Sequence, residues 1–336
     1  MEIKRESIFA SGMRAFMRAF CGAVGLIVGL AVMLILLFAV MGGKTTPGTE
    51  LVIAADSEGN RQMLPQSAPV ILRINVHGVI GMDKLTGKNL ELQLMDSQGV
   101  MIKKDRVKGI LLHINTPGGV VNDADQMYRA LQNYKERFGV PIYAYVDGMC
   151  ASGGVYICSA TDKIYASPVS VIGSVGVRLG PNFNVFDVMQ KVGVKELTLT
   201  QGKDKNVLSP FTQWQEGDAK TLQDIIDYEY MRFVDLITAA RPNLDKDKLI
   251  NEYGAHVFDA PKAQELGYID DSNGSYSDTL VALTQAVGIN GQYQVIELVP
   301  HRIFIADLIE GKVLGLDKIK AALDPNLSKR LFYIHG

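Results

Sequence analysis

The chain has 336 residues, 47% of them hydrophobic and 21% charged, and its 34 Lys+Arg against 36 Asp+Glu leave a formal net charge of −2. This composition excludes a disordered or collagen-like chain, and the balanced charge gives no reason to expect a nucleic-acid partner. Three cysteines (Cys21, Cys150, Cys158) are too few for a disulfide framework, and without a Cys/His cluster no metal or other cofactor is expected.

The first element is apolar. Ala19 to Gly43 carries no charge, and a helix of that length reaches about 37 Å, enough for the hydrocarbon core of a bilayer. It lacks the polar stripe of a buried soluble helix. Lys4, Arg5, Arg14 and Arg18 precede it, whereas Lys44 stands alone after it until Arg61. The positive-inside bias therefore predicts residues 1–20 in the cytoplasm, an anchor over 21–41 and the remainder outside. A cleaved signal peptide would have a shorter apolar region and a small-residue cleavage site, where this chain has Met41. Cys21 falls at the near end of the anchor, as a lipid-facing or cytoplasmic thiol.

Residues 42–69 read as a linker, broken throughout by Gly, Pro and Ser. Beyond it, apolar runs predict strands at Val70–Val76, Val107–Ile114, Pro141–Val146, Lys163–Ala166 and Val171–Val177. Ala124, Met127, Leu131 and Tyr134 fall at helical spacing, and a long amphipathic helix is predicted from Trp214 to Ala240. Strands alternating with helices predict an α/β architecture. The expected divisions are a main domain over 70–285 and a C-terminal extension over 286–336, whose apolar Leu331-Phe332-Tyr333-Ile334 has no obvious partner.

Two glycine-rich turns each close an apolar strand: Gly118-Gly119 and Ser152-Gly153-Gly154. Backbone N–H groups at a helix start lack intrahelical partners and carry the positive end of the helix dipole. A serine on such a turn sets a hydroxyl beside backbone donors, which is what acyl transfer needs. A purely structural reading is also open: the glycines allow close helix–sheet packing, and Ser152 is an N-cap.

Asn115-Thr116-Pro117-Gly118-Gly119, followed by Asp147-Gly148-Met149-Cys150-Ala151-Ser152-Gly153-Gly154-Val155-Tyr156, resembles the signal peptide peptidase A (SppA-type) family of membrane-anchored serine proteases. The likeness continues through Ile172–Val177, Gln201–Lys205 and Val257–Asp270. It implies a ClpP/crotonase-like spiral of ββα units behind one transmembrane helix, and proteolysis by a Ser–Lys dyad. Carried over residue by residue, it makes Ser152 the nucleophile, Lys205 the general base, the N–H groups of Gly119 and Gly153 the oxyanion hole, and Ser174 the hydroxyl that orients the lysine. It also implies cleaved signal peptides as substrates, a homo-oligomeric ring, and residence in a bacterial cytoplasmic (inner) membrane with the catalytic domain outside. Cys150 departs from the family's usual small residue and reads as a packed thiol, with a Cys150–Cys158 disulfide as the alternative.

The five histidines (His77, His113, His256, His301, His335) leave no candidate base between His113 and His256. That layout differs from the Ser–His order of ClpP-type proteases. His113 lies within an apolar strand and is expected in a packed, hydrogen-bonded role. His77 and His256, near strand or loop ends, stay open as substrate contacts. A lysine acts as a base only when neutral; its ordinary pKa of about 10.4 falls by up to about 3–5 units on burial. Lys203 competes with Lys205 from the same face of an extended segment, and the family's G-x-x-K spacing from Gly202 selects Lys205. Val120, Val155 and Val177 are expected to line a groove for apolar peptides. The alternatives are a crotonase-type acyl-CoA enzyme, a catalytically inactive membrane scaffold, and a nodulation-efficiency-like protease with other substrates.

Overall fold

The computed structural model describes residues 8–41, 49–99, 101–102, 105–300 and 332–334. The start of the expected linker (42–48) and most of the expected C-terminal extension (301–331) lie outside the described residues. The chain divides into two units, Met1–Pro47 and Gly48–Gly336. The first contains helix α1 (Ile8–Met41), which begins earlier than the apolar run and includes Arg14 and Arg18. Within it Gly12–Met33 is predominantly apolar over 22 residues, about 33 Å of helix and so long enough for a membrane anchor.

The second unit is mixed α/β. In chain order its elements are β1 (Thr49–Ala54), β2 (Val70–His77), α2 (Gly87–Asp96), β3 (Val107–Thr116), β4 (Gly118–Val120), α3 (Val121–Phe138), β5 (Ile142–Ala151) and α4 (Gly153–Cys158). There follow β6 (Lys163–Ala166), β7 (Val171–Gly173), α5 (Phe186–Val192), α6 (Lys220–Ala240), and α7 (Lys246–Lys248) running into a π turn at Leu249–Tyr253. The last elements are β8 (Val257–Asp259), α8 (Ala260–Glu265), α9 (Tyr276–Ala286), β9 (Gln294–Pro300) and β10 (Phe332–Ile334). Among the described residues the main sheet has eight strands in the order β1-β9-β2-β3-β5-β7-β8, with β6 also paired to β5.

Parallel pairing at the centre requires crossovers, and α2 and α3 supply them. Ile74 of β2 pairs with Leu112 of β3, which pairs with Ala144 of β5. The three strands therefore run together and end on one edge, which is why the turns after β3 and β5 become neighbours. Strands covered on both faces read as continuous apolar runs. In β3, Ile110, Leu112 and Ile114 face the larger core with Val121, Ala124, Met127 and Leu131 of α3. Leu111 faces the opposite layer with Ile71, Leu280, Leu283 and Val295.

Several boundaries differ from the sequence-based expectation. β1 falls inside the expected linker (42–69) and β9 inside the expected extension (286–336); they pair antiparallel, Leu51 with Leu298, and complete one side of the sheet. The long helix expected from Trp214 starts at Lys220, because the Trp214 indole donates to the Ser209 carbonyl at 2.6 Å and Gly217 turns at φ +90°. The strand expected to reach Val177 stops at Gly173, where φ values of +134° and +57° at Gly173 and Ser174 end the extended backbone.

Candidate active site

The first turn is held rigidly from below. Thr116 Oγ1 donates to the Gly78 carbonyl at 2.6 Å and accepts from the Gly118 N–H at 3.1 Å. Ile80 brackets the glycines: its N–H donates to Gly118 O and its carbonyl accepts from Val120 N–H, both at 2.9 Å. A Cβ on Gly119 would lie 2.1 Å from the Ile80 carbonyl oxygen, so glycine is required there by lack of space rather than by its dihedral angles.

The second turn packs onto the first. A Cβ on Gly153 would lie 3.3 Å from Gly119 N and 3.4 Å from Gly118 Cα, and one on Gly154 would lie 2.7 Å from Thr116 Cγ2. Gly119 and Gly153, distant in sequence, are thus in contact. Ser152 stands between β5 and α4 at φ +52°, ψ −112°, and its side chain makes no capping hydrogen bond. The N-cap reading of its hydroxyl is thereby excluded. A non-glycine residue in that region is strained, and such strain is a feature of nucleophile-bearing strand-to-helix turns. Its backbone is fixed by Ser152 N–H to Gly173 O at 2.8 Å and by Tyr156 N–H to Ser152 O at 3.0 Å. Ser152 Oγ lies 3.5 Å from the Gly176 carbonyl, and the residue is 1% exposed.

Ala151 pairs with Gly173 across β5 and β7, so Ser152 and Ser174 each follow a paired residue. Ser174 is buried, and its N–H donates to the His256 carbonyl at 2.7 Å. His256 thus enters the site's support through its backbone, which its side chain could not signal in the sequence. Lys205 lies in the turn over 202–208, its N–H on Gly202 O at 3.4 Å, and is exposed, as is Lys203. Among the described residues no hydrogen bond joins Lys205 to Ser152. The structure therefore brings Gly119, Gly153, Ser152 and Ser174 together and leaves the lysine in solvent. In the chain before it, large apolar side chains are uncovered: Phe183 is 74%, Leu197 84% and Leu199 87% exposed.

Strand β10 occupies the open side of the first turn. It pairs antiparallel with β4, Phe332 opposite Val120, Tyr333 opposite Gly119 and Ile334 opposite Gly118. An extended segment of the chain thus lies along the glycine turn beside Ser152. Of the expected groove residues, Val120 and Val155 are buried and Val177 is half-buried.

The remaining candidates have structural roles. Cys150 Sγ is 3.6 Å from Cys158 Sγ, both thiols are free and buried, and the contact with Cys158 together with burial raises the Cys150 pKa. A buried thiol of raised pKa is a poor nucleophile. His113 Nδ1 is 2.8 Å from Arg73 Nη2 and its Nε2 is 3.4 Å from Asp147, while its ring packs on His77 and Tyr145. Burial, then Arg73 and His77, lower its pKa to about 4. It is therefore neutral at pH 7, and its contact with Asp147 is a hydrogen bond rather than an ion pair. No group of three or more His, Cys, Asp or Glu suited to a metal occurs among the described residues.

Residues 135–290 match the profile of peptidase family S49. This part of the chain is similar to the S49 peptidase family. Residues 84–184 also match the N-terminal domain profile of NfeD1b. A candidate signal peptide peptidase SppA from Enterococcus faecium is 28% identical over 263 residues, covering 74% of this chain and 75% of that protein. A candidate protease from Methanocaldococcus jannaschii is 30% identical over 188 residues, covering 56% of this chain and 59% of the relative. Among solved structures, a point mutant of ClpP1 from Listeria monocytogenes aligns over 61% of this chain and 91% of its own, at 14% identity and a TM-score of 0.39. In this chain both glycine turns and Ser152 fall on one edge of the sheet. Tyr156 and Thr116, which hold those turns, were not singled out from the sequence; their positions inside the two motifs were the available signal.

Proposed function

We propose that this chain is a membrane-anchored serine endopeptidase in which Ser152 attacks the peptide carbonyl and Lys205 is the base. The observation that carries the reading is Ser152 at a strained strand-to-helix turn, its hydroxyl not used as a cap, and followed by Gly153, which packs against the Gly118-Gly119 backbone. Backbone donors held in a dry site stabilise a developing oxyanion most effectively when they need not reorganise, and each is worth about 10²–10³ in rate. The N–H groups of Gly119 and Gly153 are assigned that task. The strand β10 on β4 supports an extended peptide as substrate, since the same edge would pair with a bound polypeptide. Remnant signal peptides fit an apolar, extended substrate beside a membrane.

Lys205 is assigned to the site of a second copy. Its exposure, with Phe183, Leu197 and Leu199 uncovered nearby in the chain, supports a surface that is completed by association. Closure of that surface removes water from the amine and favours its neutral form. Lys205 then takes the Ser152 proton, the tetrahedral oxyanion forms against Gly119 and Gly153, and the protonated amine gives its proton to the leaving nitrogen. Water repeats the cycle on the acyl-enzyme, returning serine and releasing the carboxylate. Ser174, beside Ser152 through the β5–β7 register, is assigned to orient the amine. The basic residues before the anchor favour a cytoplasmic N-terminus and an extracytoplasmic peptidase domain.

The test uses full-length protein in detergent and an apolar peptide. Ser152→Ala and Lys205→Ala are each expected to lose hydrolysis by about 10³-fold or more. Mixing the two inactive variants is expected to restore part of the activity, because a shared interface pairs an intact Ser152 with an intact Lys205. Unchanged activity in either variant overturns the dyad; two inactive variants that never complement overturn the sharing of the site between copies.

A further inference from the structure

The three segments given a catalytic role, two at this chain's own site and one offered to a second copy, are each followed by a helix: Gly118-Gly119 by α3, Ser152 by α4, and the turn bearing Lys205 by α6. One carboxylate touches all three helices. Asp125 of α3, its side chain 7% exposed, accepts the Tyr156 hydroxyl of α4 at 2.8 Å and pairs with Arg232 of α6. Arg129, one turn further along α3, closes on its other oxygen at 2.5 Å. Tyr156 is fully buried, and its ring packs on Phe233 of α6 at 5.2 Å and on Tyr128 of α3 at 5.6 Å. The same Tyr156 gives its N–H to the Ser152 carbonyl. A continuous path therefore runs from the α3 carboxylate through one side chain to the backbone of the candidate nucleophile.

The chemistry suits a fixed junction. A buried carboxylate is retained only when cations and donors satisfy it, and removing it strands those partners. Asp125 meets two guanidinium groups and one hydroxyl, each from a defined direction. We infer that Asp125 is a positioning residue: by tying α3, α4 and α6 at one point it sets the distance between the Gly118-Gly119 turn and Ser152. It touches neither the Ser152 hydroxyl nor the glycine turns, so its effect on the reaction passes through Tyr156. The inference rests on the peptidase reading only for its kinetic consequence.

The experiment compares full-length Asp125→Asn, Asp125→Glu and Tyr156→Phe proteins by hydrogen exchange, by peptide hydrolysis and by Ser152 labelling with a fluorophosphonate. Asp125→Asn is expected to speed exchange at residues 118–121 and 152–156 together. A displacement of the order of 1 Å at the reacting groups costs about 10²-fold, so kcat and the labelling rate are expected to fall by about 10- to 100-fold, with KM within about twofold. Tyr156→Phe leaves both arginine pairs intact and is expected to speed exchange at 152–156 alone, with a smaller fall in kcat. Asp125→Glu, which keeps the charge, is expected to recover part of the loss. Wild-type exchange at both turns in Asp125→Asn and Tyr156→Phe overturns the junction, as does a change confined to α3. Absence of hydrolysis in the wild type would count against the peptidase reading alone, because the exchange measurement still decides the junction.

Discussion

Replacing Gly119 by alanine puts one methyl group where the structure has a backbone. The new Cβ would stand 2.1 Å from Ile80 O, 2.6 Å from Ile80 N and 2.7 Å from Ile80 C. Ordinary contact needs about 3.4 Å or more, so the Ile80 segment must retreat by roughly 1 Å. Ile80 is fully buried in the main core, and a close-packed interior resists such a shift. The retreat stretches both 2.9 Å hydrogen bonds that bracket the turn. Two backbone bonds at about 0.5–1.5 kcal/mol each, with an overpacking term of about 1–3 kcal/mol, give a loss of about 4 kcal/mol. With a urea m-value of about 3 kcal/mol/M for a unit of this size, the unfolding midpoint followed by circular dichroism drops by about 1 M. Hydrolysis is expected to fall by about 10²-fold as the oxyanion donor moves. Gly139 is the control: its Cβ would meet nothing within 4 Å, but its φ is +63°. Alanine there carries only the left-handed backbone cost of about 1–2 kcal/mol and leaves catalysis intact. A Gly119→Ala protein with the wild-type midpoint and wild-type activity would refute the steric argument and the assignment of this turn together.

Two further outcomes are expected. His113, at about 4 against its ordinary 6.5, binds a proton in the unfolded chain at a pH where the folded chain does not. Its contribution is present in full above pH 6.5 and is lost as the pH falls toward 4. The shift corresponds to at most about 3 kcal/mol, and solvent screening of a part-exposed ring leaves about half of that. Unfolding midpoints of wild type and His113→Asn between about pH 7 and 4 are expected to show a steeper acid loss in the wild type; parallel curves would exclude the effect. Separately, the double substitution Leu197→Asp with Leu199→Asp, at two exposed apolar positions, is expected to lower the oligomeric mass in light scattering and to reduce hydrolysis with the fold unchanged. An unchanged mass would remove that segment from the interface.

The sequence showed most clearly what is encoded locally. β2, β3 and β5 appear as apolar runs because both faces of each are covered, and the stripe Ala124, Met127, Leu131 and Tyr134 was visible because α3 packs one face on the sheet. The turns at Gly118-Gly119 and Ser152-Gly153 were legible for the same reason: glycine sits where no side chain fits. Pairings set by topology were not legible. β1 and β9 lie near opposite ends of the unit's sequence, and nothing within Thr49–Ala54 says that Leu51 will face Leu298. Helix α9 was overlooked although its capping box, Ser275 with Asp278, is a local signal. Burial of Lys205 was expected from the resemblance, but the residue is exposed, and burial is a tertiary property that the local sequence does not specify. Asp125 was hidden for a related reason, since an acidic residue on a helix looks solvated until arginines from its own helix and from α6 are placed around it.

The pairing of β10 with β4 also bears on solubility. A short strand made of two glycines and a valine offers bare N–H and C=O groups, and such an edge recruits any extended chain that drifts past, including those of misfolded neighbours. With Phe332–Ile334 already in register, the edge is shielded while it is idle. Any other extended chain must displace that resident strand before it can pair with β4, so the same three residues that complete the small sheet also guard against aggregation.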